Sequence, residues 1–408
     1  MRKIYLDYAA TTPVDSAVLA AMKPYFEKRF GNAGSLHSFG QEAMAALDDS
    51  REKIAKAIGA DFREIIFTGS ATEASNLALR GAVMASGVKN SKIIISTIEH
   101  KSILETCRDL ESEGAEVIYL PASREGIIDL KKLKATLDER TILVSVMYAN
   151  NEIGTIEPIS KISEIIKNFR DELKTIYPLF HTDAVQAFQY LDCDVQKLGV
   201  DLMTLSAHKI YGPKGIGVLF MKRGTWNMKH KQNDMFYASI FMLHPTITGG
   251  GQEFGLRSGT ENMPLIVGFA KAIELAGKAR EKESKRVSEL RNYFWKQIKK
   301  IYPEAQLNGP TISVNQLNQY KSARLPNNLN IYFPKLRAED LLVKFDLAGV
   351  AVSAGSACSA RGTEPSHVLK ACGFPLERIK SSLRITLGRP TIKAEIDEAA
   401  KRIKKAIR

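Results

Sequence analysis

The chain has 408 residues, 44% of them hydrophobic and 25% charged, which is the composition of an ordinary globular protein. The length predicts roughly two or three domains and a core large enough for a stable enzyme. Four cysteines lie far apart with no C-x-x-C pair, which argues against a disulfide framework and against a cysteine-rich zinc site. The net charge of +13 permits acidic partners. No aromatic-interleaved basic motif accompanies it, and we expect no direct nucleic-acid contact.

The N-terminus and the hydropathy of the chain indicate where the protein works. Arg2 and Lys3 are followed by Ile4-Tyr5-Leu6-Asp7 rather than by an apolar signal core. No apolar run approaches the length needed to span a bilayer. We therefore expect a cytoplasmic protein with no membrane partner.

Short apolar runs alternate with helical stretches through the first two thirds of the chain. Residues 1–15 look irregular, and helices are predicted over 16–30 and 38–58. Strands are then predicted at 65–67, 93–95, 117–119, 142–147, 179–180, 202–205 and 216–220. Apolar strands separated by helices predict a mostly parallel sheet inside a three-layer α/β domain.

The pattern changes near residue 264. A long helix over 264–302 precedes strands around 329–333 and 383–387, a helix over 338–347 and a terminal amphipathic helix over 392–407. We expect a large domain at 16–263 and a smaller α+β domain at 264–408, with residues 1–15 packing on the small domain. A long loop at 225–248 carries apolar residues and is a candidate interface segment.

Lys209 stands in Ser206-Ala207-His208-Lys209, between two predicted strands and ahead of a glycine-rich turn. An amine held there can react with a carbonyl once its environment removes the ammonium charge. The alternative is a solvated lysine in a surface turn.

Three other strand ends carry polar or small residues. The turn 68–73 would let backbone N–H groups at a helix N-terminus approach a phosphate, or would merely cap the helix. Asp183 would hold a charged ring nitrogen and Gln186 would bond a ring oxygen, unless Asp183 is a helix cap. His100 would stack on a ring or shuttle protons, or would begin a helix. An amine, a carboxylate, a phosphate cradle and an aromatic cap together match the requirements of pyridoxal phosphate.

Cys358 and Arg384 are the candidates in the small domain. Cys358 lies in a run of small residues, 353–360, which suits a loop that carries a nucleophilic thiolate, although it also suits a cysteine used as one more small residue. Arg384 interrupts an apolar strand and would bind a carboxylate in bidentate fashion or form a structural ion pair.

The sequence resembles a known family, the cysteine desulfurases of the NifS/IscS-like branch, within the class-V aminotransferases. The matching segments span both predicted domains: Tyr5-Leu6-Asp7-Tyr8-Ala9-Ala10-Thr11-Thr12-Pro13, Glu99-His100-Lys101, Asn150-Asn151-Glu152-Ile153-Gly154, 206–217, Gly249-Gly250-Gly251, Arg257-Ser258-Gly259-Thr260 and Ser356-Ala357-Cys358. The resemblance implies a pyridoxal-phosphate-dependent homodimer of fold type I, with the cofactor in the large domain and the cysteine loop in the small one.

The resemblance also implies a role for each site residue. Lys209 would carry the cofactor and move protons, His100 would stack on its ring, and Asp183 would pair with its ring nitrogen. Asn151 and Gln186 would bond the ring oxygen side, and Asn151 would help to place the substrate. The phosphate would be held by Ala71, Thr72, Ser206 and His208, joined by Thr260 of the partner subunit. The carboxylate of L-cysteine would be held by Arg384 and Asn32.

Cys358 would attack the substrate sulfur, release L-alanine and hold a persulfide for a sulfur-acceptor protein, such as an iron–sulfur scaffold or a tRNA-thiolation protein. No metal site is implied, although Cys358 would transiently ligate an iron–sulfur cluster in a transfer complex. Two alternatives stay open: another fold-type-I enzyme, such as a selenocysteine lyase or an aminotransferase, and a catalytically idle sulfur-transfer scaffold. The sequence does not name the acceptor.

Overall fold

The computed structural model describes residues 2–223, 243–312, 324–355 and 365–407. Cys358 lies outside these ranges, and so does the candidate interface segment as far as residue 242.

The strands and helices are numbered in chain order. The strands are β1 (Ile4–Tyr5), β2 (Ile65–Thr68), β3 (Lys92–Ser96), β4 (Glu116–Leu120), β5 (Thr141–Ser145), β6 (Leu179–Asp183), β7 (Leu202–Ser206), β8 (Gly217–Met221), β9 (Gln306–Leu307), β10 (Asn328–Tyr332), β11 (Val350–Ala351) and β12 (Ser382–Thr386). The helices are α1 (Ser16–Met22), α2 (Pro24–Glu27), α3 (Ser38–Ile58), α4 (Ala71–Ser86), α5 (Lys101–Ser112), α6 (Leu130–Thr136), α7 (Ile159–Leu173), α8 (Val195–Leu198), α9 (Met263–Ile301), α10 (Ala338–Leu347), α11 (His367–Ala371), α12 (Leu376–Ile379) and α13 (Lys393–Ile407).

A seven-stranded sheet in the order β2-β8-β7-β6-β5-β3-β4 forms the centre of the large domain. Strands β3 to β7 are mutually parallel where they pair, whereas β8 runs antiparallel to both of its neighbours. The predicted mostly parallel sheet is therefore confirmed. Because β3, β5, β6 and β7 run in the same direction, the residues that follow them meet at one edge of the sheet.

Apolar residues cover both faces of this sheet. Helices α4 and α5 pack on one face, around Ile93, Ile95 and Leu143, and helices α3, α7 and the start of α9 pack on the other, around Ile94, Val144 and Phe180. Successive residues of a strand point to opposite faces, so the unbroken apolar runs in the sequence are those of strands buried on both sides.

A second core forms around the antiparallel sheet β12-β10-β9, against α10, α13 and the second half of α9. Strand β1 pairs in parallel with β11, and Ile4 and Leu6 are buried in this core. Helix α9 contributes to both cores, with Phe269 in the first and Phe294 in the second. We propose the division into 1–15, 16–263 and 264–408 as the domain organisation, with α9 as the shared element.

Two local predictions were wrong. The single helix expected over 16–30 is two short helices, because Pro24 has no N–H to continue α1 and instead begins α2. The segment 1–15 is not wholly irregular, since β1 forms once β11 is present to pair with it. Within the described ranges, no helix combines the length and the apolar character that crossing a bilayer requires.

Glu157 is a buried acid just ahead of α7. Its two carboxylate oxygens accept the N–H of Ile128 at 3.2 and 3.4 Å, and only 2% of the residue is exposed. Burial raises the pKa of Glu157 to about 8, although the Ile128 N–H opposes the shift. The side chain is therefore mostly protonated at neutral pH.

We predict that Glu157→Gln raises the melting temperature most at alkaline pH. Folding must protonate this acid wherever the pH lies between 4.5 and about 8, so wild-type stability falls by about 1.4 kcal/mol per pH unit in that window. Glutamine never ionises and keeps an oxygen for Ile128. Thermal unfolding between about pH 5 and about pH 8.5 checks this. Glu164→Gln, an exposed acid on α7, is the control, and a pH-independent effect of Glu157→Gln would contradict the prediction.

Candidate functional site

A cavity of about 450 Å³ lies at the carboxyl edge of the parallel strands. Its wall brings together most of the predicted site residues: Ala71, Thr72, His100, Asn151, Asp183, Gln186, Ser206, His208, Lys209 and Arg384. Arg384 comes from the small domain and the other nine come from the large domain. The two cores therefore form this site jointly.

Lys209 ends a short 3-10 turn, Ala207–Lys209, directly after β7. Its Nζ donates to the carbonyl oxygens of Ala9 at 2.6 Å and Ala10 at 2.7 Å. Gln186 Nε2 donates to the same Ala9 oxygen at 3.0 Å. The N-terminal segment is thus a wall of the cavity, which the reasoning from strand ends missed. The run of small residues at 9–12 was the available signal.

Asp183 is the last residue of β6 and its side chain is buried in the cavity wall. Its Oδ1 accepts the N–H of Val185 at 2.9 Å. Burial raises the pKa of Asp183 to about 6, while the Val185 N–H and the Lys209 charge act in the opposite direction. The group is mainly a carboxylate at neutral pH, and a cationic ligand atom beside it would stabilise that form further.

His100 caps helix α5 and also lines the cavity, so the predicted helix start is confirmed and the stacking role stays a prediction. Its Nδ1 accepts the N–H of Ser102 at 3.1 Å at the start of α5. A backbone N–H can only donate, so the ring proton is assigned to Nε2. Burial, reinforced by the charge of Lys209, lowers the pKa of His100 to about 4. The ring is therefore neutral at physiological pH.

The N-terminus of α4 lies in the cavity wall. Ser70 caps this helix by accepting the N–H of Glu73 at 3.1 Å. The N–H groups of Ala71 and Thr72, in the first turn, have no partner within the helix and carry the positive end of its dipole. A Cβ on Gly217 of β8 would stand 2.5 Å from the Ser70 carbonyl carbon, so glycine is needed where β8 passes this turn.

His208 and Lys214 line the same cavity. His208 Nδ1 lies 3.1 Å from the hydroxyl of Thr11. Burial and the charges of Lys209 and Lys214 lower the pKa of His208 to about 4. Its neutral ring and the two lysines leave this end of the cavity suited to an anion.

Arg384 is a central residue of β12, 1% exposed, and it is held from two sides. Its Nη2 forms an ion pair with Asp7 Oδ1 at 2.8 Å, and its Nη1 donates to the backbone oxygen of Asn151 at 3.1 Å. Its Nε is buried and has no hydrogen-bond partner among the described residues. Arg384 therefore forms a structural ion pair and also lines the cavity.

Two predicted residues, Asn32 and Thr260, are not in this wall. Asn32 is exposed and its Oδ1 accepts the N–H of Gly34 at 2.9 Å. Thr260 is also exposed. Cys358 lies outside the described residues. The roles of these three stay predictions.

The groups that line the cavity fit pyridoxal phosphate. A lysine amine suits its aldehyde, a buried carboxylate suits its ring nitrogen, and a helix N-terminus with cationic neighbours suits its phosphate. Over the part of the chain that the structure covers, no group of three or more His, Cys, Asp or Glu side chains is placed to hold a metal ion.

Comparison with known proteins assigns the family. The model of the aminotransferase class-V family matches residues 4–398. A cysteine desulfurase IscS of Dictyoglomus turgidum is 47% identical over 396 residues, which cover 97% of this chain and 92% of that protein. A solved NifS-like protein has a TM-score of 0.86 at 34% identity and 99% coverage of both chains. A structure of SspA in complex with cysteine has a TM-score of 0.75 at 34% identity, covering 95% of this chain and 100% of that one.

The chain therefore belongs to the class-V aminotransferase family, whose fold is that of the fold-type-I enzymes. The family and its cysteine desulfurases depend on pyridoxal phosphate. The predictions of family, fold class and cofactor are confirmed.

We predict that binding of pyridoxal phosphate to the cofactor-free protein weakens below about pH 6. Asp183 is then increasingly protonated and must lose that proton to pair with the cationic ring, at a cost of up to about tenfold in affinity per pH unit. Asp183→Asn should bind more weakly at neutral pH and lack this pH dependence.

Equilibrium dialysis of the wild type and the variant from about pH 5 to about pH 8 measures both effects. Asp49→Asn, a surface acid of α3, controls for the loss of a negative charge. Parallel pH profiles for wild type and Asp183→Asn would show that Asp183 does not hold the ring nitrogen.

Proposed function

We propose that this protein is a cysteine desulfurase, which transfers the sulfur of L-cysteine to Cys358 and releases L-alanine. The observation that carries the proposal is the single cavity in which a lysine amine, a buried carboxylate, a helix N-terminus and an arginine converge. The cysteine desulfurase relative and the cysteine complex of SspA support this substrate.

The large domain holds the cofactor. When bound, pyridoxal phosphate supplies an electron-withdrawing ring that makes the Cα proton of the substrate labile. Lys209 Nζ attaches the cofactor and then moves a proton at Cα, and Asp183 keeps the proton on the ring nitrogen. His100 packs its neutral ring on the cofactor and offers the Nε2 proton. Phosphate is held by the N–H groups and side chains of four residues: Ala71, Thr72, Ser206 and His208.

On the substrate side of the cavity, polar side chains are placed to bind the carboxylate of L-cysteine. Arg384 presents its Nε edge to the substrate carboxylate, and Asn151, whose backbone oxygen steadies the same guanidinium, helps to place the substrate. Gln186 and Asn151 serve the ring oxygen, and Asn32 is proposed as a second carboxylate contact.

Cys358 supplies the sulfur acceptor. The described residues on either side of its segment bond close to the cavity. Ser353 N–H donates to the carbonyl of Arg384, a wall residue, at 3.1 Å, and His367 Nε2 donates to the carbonyl of Glu99, which precedes the wall residue His100, at 2.9 Å. As a thiolate, Cys358 Sγ bonds to the substrate sulfur while the Cβ–S bond breaks with its electrons left on carbon. Protonation of Cβ then yields L-alanine, and the persulfide passes to an acceptor protein, such as an iron–sulfur scaffold or a tRNA-thiolation protein.

The protein is further proposed to act as a homodimer. Large apolar side chains are exposed on the segment that includes α1, α2 and the start of α3: Leu19, Phe26, Phe30, Leu36 and Phe39, each at least half exposed. Phe30 and Phe39 lie against each other, with ring centroids 5.7 Å apart. Such a patch is typical of a protein interface. Thr260, exposed on its own chain, would reach the phosphate of the partner's site.

We predict that purified wild type releases L-alanine and sulfide from L-cysteine with a reductant, and that Cys358→Ala does neither while keeping the visible absorbance of bound cofactor. Cys372→Ala is the matched control, because burial raises the pKa of Cys372 to about 12 and keeps it a thiol. Labelling of the protein persulfide measures the outcome. Normal desulfuration by Cys358→Ala would show that Cys358 is not the sulfur acceptor. A cofactor-loaded wild type that does not desulfurate L-cysteine would contradict the proposed function.

We also predict that two inactivating changes complement each other across the dimer. Lys209→Ala and Thr260→Val each impair every site of their own homodimer. In a hybrid dimer, one site carries both defects and the other carries neither, if Thr260 acts on the partner's phosphate. Mixing under subunit exchange should therefore restore about a quarter of wild-type activity, the share expected from random pairing. No recovery, with hybrids verified by mass, would place Thr260 in its own subunit's site.

A further inference from the structure

We propose that Asp7 is a positioning residue that weakens the hold of Arg384 on the substrate carboxylate, and that this allows the product L-alanine to leave. The inference rests on the proposed function, since it assumes that Arg384 binds an amino-acid carboxylate.

The contacts of Arg384 define which part of the guanidinium a ligand can use. An arginine has five N–H groups in a rigid fork. Nη2 is paired with Asp7 at 2.8 Å and Nη1 with the Asn151 carbonyl at 3.1 Å, whereas Nε has no partner among the described residues. A bidentate carboxylate that leaves Asp7 in place would therefore use Nε–H and the second N–H of Nη2, the nitrogen that also pairs with Asp7.

The position of Asp7 is fixed by the fold rather than by the ion pair. Its backbone bridges to Thr386, two residues beyond Arg384 on β12, and the Thr386 N–H donates to the Leu6 carbonyl at 2.8 Å. The Thr386 hydroxyl accepts the N–H of Ala9 at 2.9 Å, and residues two apart on a strand face the same side, so Arg384 is turned towards the segment that carries Asp7. The backbone of Asp7 cannot move away from Arg384 without breaking this pairing.

The electrostatic consequence follows from this fixed geometry. The side chains of Arg384 and Asp7 are 1% and 16% exposed, so solvent screens their charges only in part. The pair is neutral overall, and a second carboxylate at the same guanidinium is repelled by the first. L-Cysteine and L-alanine carry the same carboxylate, so a weaker hold affects substrate capture and product release alike.

Asp7→Asn tests the inference because asparagine keeps an oxygen for Nη2 and removes only the charge. We expect the KM for L-cysteine and the inhibition constant of L-alanine to fall together by about three- to tenfold, with no rise in kcat. L-Alaninamide, which lacks the carboxylate, should bind the variant as it binds wild type. Asp7→Glu, which restores the charge, should return both constants towards wild type.

Asp15→Asn is the matched control variant. Asp15 lies on the same N-terminal segment and pairs with Arg389 at 3.2 Å, outside the cavity wall. Asp15→Asn should leave the KM for L-cysteine and the inhibition constant of L-alanine unchanged. Titration calorimetry of the cofactor-loaded proteins with L-alanine and L-alaninamide gives the same comparison without turnover.

The results separate two kinds of failure. If wild type turns over L-cysteine and Asp7→Asn leaves KM and alanine affinity within about twofold, or raises them, the inference on Asp7 is overturned and the proposed function stands. An equal gain in alaninamide affinity also overturns it, because the effect is then not on the carboxylate. If wild type does not desulfurate L-cysteine but alanine binding tightens in the variant, the proposed function fails and the role of Asp7 at a carboxylate site is supported.

Discussion

The site depends on the hydrogen bonding of the N-terminal segment between the two domains. Lys209 of the large domain donates to Ala9 and Ala10, and the Thr12 N–H donates to the His208 carbonyl at 3.0 Å. On the other side, the Ala9 N–H donates to the Thr386 hydroxyl at 2.9 Å. A backbone that satisfies its polar groups with both domains is held in one place, beside the cavity that Lys209 and Arg384 line.

Burial governs the electrostatics of this site more than any single ion pair does. It lowers the pKa of His100 and of His208 to about 4 and raises that of Asp183 to about 6. Two neutral imidazoles and an ionised acid therefore coexist with a lysine at neutral pH. Dry surroundings disfavour charge on every group, and only an acid that keeps the Val185 N–H and the Lys209 charge beside it retains its ionised form.

The helices and strands of the large domain could be predicted closely because they follow from hydropathy patterns over short stretches of the chain. Helix α3 occupies 38–58 as expected, and the apolar strands lie within a few residues of their predicted places. Period-2 and period-3.6 patterns depend on the nearest neighbours along the chain. The convergence of Lys209, Asp183, His100 and the turn at 68–73 was also predictable, since parallel strands bring their carboxyl ends to one edge.

The sequence by itself determined the chemistry of this protein: which side chains follow the strands, which family they resemble and which cofactor they suit. Only the tertiary structure decided how the N-terminal segment enters the site. The small residues at 9–12 are compatible with a cavity wall, but no pattern within residues 1–15 specifies that Ala9 and Ala10 accept from Lys209, or that Asp7 pairs with Arg384 across 377 positions of the chain. Contacts of that separation arise when two cores pack on one segment of the chain, and no local sequence pattern encodes them.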